Sequence, residues 1–197
     1  MKPLFLLVFL GMWIDLTGFK SVGSDQINLK TSKGDIVRVK KGIIYFNDKK
    51  ILSFQYDDLI YGSKLNRLLE DHNSIFLFLA ENGRPGLDHL LAYKITASKA
   101  ILMADAILSP LRDLDHDGFL EFGGNDLTEM YPNRDSMYYI PTAYYEIRNG
   151  KIIKDMTLTR QQDIKLNGTY LKSPLDANGN CCKLIPNPKR LKGKRKI

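Results

Sequence analysis

Cysteine, histidine and long apolar runs are all scarce in this chain, and each scarcity removes a class of chemistry. The two cysteines are neighbours, Cys181 and Cys182. Two thiols are too few for a zinc site. Adjacent cysteines bond to each other only in a strained geometry, so an unpaired couple in a late loop is expected, with a bond between two chains as the other reading. The three histidines, His72, His89 and His116, are scattered. No two have metal-ligand spacing, and none stands beside a serine or cysteine in a nucleophile elbow. No glycine-rich phosphate loop occurs. The longest apolar run, Leu4–Ile14, has eleven residues, against the roughly twenty a helix needs to cross a bilayer. Nothing in the sequence therefore asks for zinc, a catalytic triad, a bound nucleotide or a membrane span.

What is present is an ordinary globular composition over 197 residues, enough for one domain with a real core. Met1–Ser24 reads as an export signal: Lys2, the apolar run, then small residues at Gly18, Ser21, Gly23 and Ser24. This predicts a periplasmic or secreted protein. The net charge of +7 is unevenly placed. The stretch 183–197 holds Lys183, Lys189, Arg190, Lys192, Lys194, Arg195 and Lys196 and no acid, so the part between signal and tail is near −1. Such a run predicts a solvated, disordered end that touches anionic surfaces. With no aromatic residues interleaved, it does not suggest nucleic acid. The domain is then residues 25–182.

Within it, alternating apolar residues predict antiparallel hairpins. Ile27–Thr31 pairs with Asp35–Val39 across Ser32-Lys33-Gly34, and Gly42–Phe46 with Ile51–Phe54 across Asn47–Lys50. Ser74–Ala80 is apolar on both faces, as a doubly covered central strand would be. His89–Thr96 and Ala100–Leu108 form a further hairpin, although the Ala, Leu and Met of the second arm also suit a helix. Ser136–Ile147 and Lys151–Lys154 pair across Arg148-Asn149-Gly150. Two short helices are expected: Ser63–Glu70, with Leu65, Leu68 and Leu69 at helical spacing, and Thr159–Leu166 behind a Thr159-x-x-Gln162 capping box. Tyr93-x-Ile95-x-x-x-Lys99-x-Ile101 returns 52 residues later as Tyr145-x-Ile147-x-x-x-Lys151-x-Ile153, and a shortened version begins at Tyr45. A period near fifty is that of propeller blades, but the chain has room for only about three and a closed ring typically takes four or more. The expected fold is mainly β: antiparallel hairpins in a meander, partial propeller or sandwich, with two short helices.

The most informative stretch is Asp113-Leu-Asp-His-Asp-Gly-Phe-Leu-Glu121. Carboxylates at alternate positions converge once the chain curls, and Gly118 allows the curl. Four negative charges in nine residues call for a hard cation. An EF-hand would need its bidentate acid at the twelfth position, which here is Gly124. The stretch instead resembles the Asp-x-Asp-x-Asp-Gly-x-x-acid loops between strands of FG-GAP and related propeller-type repeats. That resemblance implies one structural Ca2+ held by Asp113, Asp115, Asp117, the carbonyl of Phe119 and Glu121.

Downstream, Gly123 and Gly124 permit close backbone approach, and Asp126, Glu129 and Asp135 are the weak candidates for catalytic carboxylates. The stretch from the acidic loop through the Asn-Gly-Lys hairpin also looks like part of a group of exported bacterial proteins of unknown function. Tyr131, Tyr138, Tyr139, Tyr144 and Tyr145 are divided by strand alternation between core and a surface suited to sugar or protein contact. Asn167-Gly168-Thr169 is a formal glycosylation sequon. Two functions follow as expectations. The first is a non-enzymatic, calcium-stapled module of the cell envelope or exterior that binds a protein or glycan. The second is a secreted polysaccharide hydrolase using two of the carboxylates as acid and base.

Overall fold

The computed structural model describes residues 25–125 and 131–191, with backbone alone for 190 and 191. The expected export signal Met1–Ser24, the candidates Asp126 and Glu129, and the end of the basic tail lie outside the described residues.

The fold is mainly β, and turn chemistry sets its pairing. Strands β1 (Gln26–Lys30), β2 (Ile36–Lys40), β3 (Ile43–Phe46) and β4 (Lys49–Ser53) form an antiparallel meander. Its β3–β4 turn puts Asn47 and Asp48 at φ +47° and +64°, the left-handed pair that matches strand twist in a two-residue hairpin. A second meander follows: β5 (Arg67–Asp71), β6 (Ser74–Glu81), β7 (His89–Ile95) and β8 (Ala100–Ile107). A third sheet has the order β12 (Lys151–Lys154), β11 (Thr142–Arg148), β9 (Leu120–Asn125). The small pair β10 (Ser136–Tyr138) and β13 (Leu184–Pro186) completes the strands among the described residues. The helices among the described residues are α1 (Met156–Asn167) and the single-turn α2 (Pro188–Leu191).

Strand β6 explains how the sheets stack. Its Leu77 and Leu79 join Val37, Val39 and Ile44 of the first sheet in one core, while Phe76 and Phe78 join Phe122, Ile147 and Ile152 of the third sheet in another. Strand β6 is therefore covered on both faces, as its unbroken apolar sequence predicts. The three sheets do not close into a ring. The Tyr-x-Ile repeat falls on three hairpins in turn, β3–β4, β7–β8 and β11–β12.

Several expectations are corrected. Ser63–Glu70 is not a helix: Arg67–Asp71 is a strand, with Leu68 opposite Leu77 and Leu69 opposite Phe76. Leu68 faces the first core and Leu69 the second, so two-sided burial outweighs helical spacing. Ala100–Leu108 resolves as a strand despite its helix-forming composition, because β7 is there to pair with it. Ser136–Ile147 is two strands and not one. Pro141, with no N–H to give a ladder, lies between β10, which pairs with β13, and β11, which pairs with β9 and β12.

The second helix exists but begins earlier. Asp155 caps it, accepting the N–H groups of Thr157 and Leu158 at 2.9 Å each. Thr159 is buried inside the helix, where its hydroxyl accepts the N–H of Tyr144. Structure also continues past Cys182 into the basic stretch, through β13 and α2. Cys181 and Cys182 are bonded to each other, contrary to the expected free pair. Cys182 is part of a small third core with Met137, Tyr139, Ile140 and Ile185.

Candidate metal centre

The acidic loop bridges β8 and β9 and is closed at its base by two backbone bonds between Arg112 and Glu121, of 3.0 and 2.8 Å. Inside it the Asp113 carboxylate accepts the N–H groups of Asp117 (3.1 Å) and Gly118 (3.2 Å), and Asp117 accepts that of Phe119 (3.0 Å). His116 and Gly118 adopt φ +66° and +92°, so the chain curls where the glycine was expected to allow it. The curl gathers carboxylate oxygens of Asp113, Asp115 and Asp117 within 4.8 Å of one another. Like charges that close repel by about 1 kcal/mol per pair even in water, and by more as water is excluded. The three are close enough to hold a metal ion together, and an all-carboxylate donor set suits a hard cation.

Glu121 is fully buried beneath this loop. One oxygen, Oε2, accepts the N–H of Leu114 at 2.6 Å, while Oε1 has no hydrogen-bond partner. Burial pushes its pKa up to about 7. The Leu114 N–H opposes that rise, and the charges of Asp115, Asp117 and Asp113 add to it. Glu121 stands outside the 4.8 Å group formed by the three aspartates.

A further acid, which sequence reasoning did not single out, occupies the same face. Leu120, Phe122, Tyr145 and Ile147 all pack toward the second sheet, so the alternate residues of β9 and β11 turn the other way. Among these, Glu146 lies directly opposite Glu121 in the ladder. It is 7% exposed, and its Oε1 likewise lacks a hydrogen bond. The Arg148 guanidinium lies 3.5 Å from that same Oε1, a long ion pair in place of a normal hydrogen bond. Burial raises the Glu146 pKa, the charge of Asp117 raises it further, and Arg148 lowers it. The one sequence signal was an acid in the middle of the apolar strand Thr142–Arg148.

The remaining candidates are dispersed. Asp135 is exposed on the turn before β10, its carbonyl accepting the N–H of Asn187. Of the five tyrosines, Tyr139 is fully buried, donating to Asp163 and accepting the N–H of Leu171. Tyr145 stacks on Phe122 with centroids 5.5 Å apart. Tyr138 and Tyr144 are half-buried and Tyr131 is exposed. Asn167 of the sequon is buried, its amide donating to the carbonyls of Ile140 and Asp163; the side chain serves the fold.

No described helix is long and apolar enough to cross a membrane. Comparisons with protein-family models, with curated proteins and with solved structures found no match. The likeness to FG-GAP loops therefore rests on the nine residues that carry it.

Proposed function

We propose that this chain is an exported, non-enzymatic β module in which one structural Ca2+ staples the loop between β8 and β9, and that the stapled surface serves to bind a protein or glycan. The observation that carries the calcium reading is the convergence of Asp113, Asp115 and Asp117 above Glu121, a buried carboxylate with an orphaned oxygen. Buried acids are normally paired, and a cation here would pair four at once. The residues that would hold it are those three aspartates, the carbonyl of Phe119 and Glu121. Calcium is favoured over magnesium because it accepts six to eight oxygens in a tolerant geometry, whereas magnesium demands a tight octahedron and keeps its water.

The bound ion supplies neutralisation of charge; the chain supplies position. The Asp117, Gly118 and Phe119 N–H groups already orient two of the carboxylates, so little rearrangement is asked of the loop. Export is supported by the Met1–Ser24 pattern and fits the ion, because extracellular modules bind calcium at about 10⁻⁴–10⁻³ M. At the tighter end of that range, millimolar calcium adds about 1–1.5 kcal/mol by mass action, or about 2–6 °C in a domain of this size.

Thermal melting in calcium and in chelator tests the reading. Chelator is expected to lower the midpoint by that amount, and Asp115→Ala to erase the difference. Coincident melts of the folded wild-type chain under both conditions would rule it out.

A further inference from the structure

We infer that Glu146 of β11 is an additional ligand of the ion proposed above, so that the cation is gripped by a neighbouring strand as well as by its own loop. This rests on the calcium reading, but its support comes from outside the Asp-x-Asp-x-Asp motif. Glu146 and Glu121 face each other across the β9–β11 ladder, where opposed residues place their Cβ atoms about 4.5–5.5 Å apart on one face. Each is more than nine-tenths buried, and each has an Oε1 with no hydrogen-bond partner. Leaving one such oxygen unsatisfied is costly. Glu121 carries one such oxygen outright, and the Glu146 oxygen has only the long Arg148 ion pair, while Glu146 also feels the charge of Asp117 in the loop.

Arg148 only partly neutralises Glu146, pairing with its Oε1 at 3.5 Å. Its guanidinium also lies over the Phe119 ring, 4.3 Å from the centroid. The proposed loop ligands leave room in a shell of six to eight oxygens, and Glu146 provides the missing donor from a second strand. A site with five carboxylates selects a large cation of high charge, and it ties the β8–β9 loop to β11, the strand next to β9.

The test uses the full chain, with calorimetric calcium titration and melts in calcium and in chelator, on the wild type, Glu146→Gln and Glu146→Asp. Glu146→Gln is expected to weaken calcium binding at least about tenfold while melting at or above the wild type in chelator, because it removes a buried anion. A role confined to the Arg148 ion pair would instead lower the chelator melt and leave the affinity alone. Glu146→Asp keeps the charge but withdraws the oxygen by one methylene, so a direct ligand weakens here too. Wild-type affinity in Glu146→Gln overturns the inference and leaves the calcium reading standing. Weakening in Glu146→Gln with wild-type affinity in Glu146→Asp also overturns it, since that is a distant charge effect. No calcium binding by the folded wild type removes both. Should Glu146→Gln fail to fold by circular dichroism, Glu146→Asp alone decides.

Discussion

At Glu121 a single enclosed carboxylate sets a pH dependence whose sign is defined. Its pKa in the folded protein, about 7, stands above the ordinary 4.5. Its contribution to stability is therefore complete below about 4.5 and is lost as the pH rises to about 7. Asp71 works in the opposite sense: the Gly150 N–H holds its carboxyl low, so its contribution is complete above the ordinary carboxylate range and gone in acid. Asp71 thus contributes no slope between pH 5.5 and 7.5, where Glu121 acts in the same sense as Glu146 and Glu81, both also raised by burial. Metal-free protein is expected to melt lower at pH 7.5 than at 5.5, Glu121→Gln to flatten that slope, and saturating calcium to reverse it by favouring the ionised form. Melting curves at the two pH values check all three. The paired glycines just beyond divide sharply. A Cβ on Gly123, at φ +124°, would lie 2.1 Å from the Ala143 carbonyl oxygen of β11, whereas one on Gly124 meets only Ile107 at 3.7 Å. Gly123→Ala is expected to cost roughly 3 kcal/mol or more and Gly124→Ala within about 1 kcal/mol, measured by urea unfolding. The expectation of close backbone approach is met at the first glycine and not at the second.

Helix α1 illustrates which element-level signals were readable. Its existence was legible, but its start was not, because Thr159-x-x-Gln162 imitates a capping box while Asp155 does the capping. Where β12 ends, α1 takes over the free edge of β11: Asp163 accepts the Thr142 N–H and the Tyr139 hydroxyl, and Thr159 accepts the Tyr144 N–H. The helix is therefore held more by docking than by its cap. Asp155→Ala is expected to cost about 1 kcal/mol. Asp163→Ala should cost about 2–4 kcal/mol, since it strands two buried donors. Equal costs in urea titrations would show that the cap matters as much as the dock. The hairpins were readable because period-two alternation and left-handed turn residues such as Asn47 and Asn149 are local. Arg67–Asp71 was not, since the leucines at 65, 68 and 69 fit a helical stripe equally well until two cores claim opposite faces.

At the scale of the molecule, the second sheet belongs to both large cores, so neither is expected to melt without the other. Phe78 packs edge-on against Phe122, with centroids 5.4 Å apart. Phe78→Ala is expected to cost about 3–5 kcal/mol and to shift far-ultraviolet and near-ultraviolet circular dichroism together in one transition. Separate transitions would mean that the first sheet unfolds independently. The sequence by itself determined the β class, most of the hairpins and the acidic loop, because each is written within a few neighbouring residues. The tertiary structure alone decided which sheets share a core, where α1 docks, and that Glu146 lies opposite Glu121. Those relations join residues tens of positions apart, and a lone glutamate in an apolar strand carries no mark of the partner it will face.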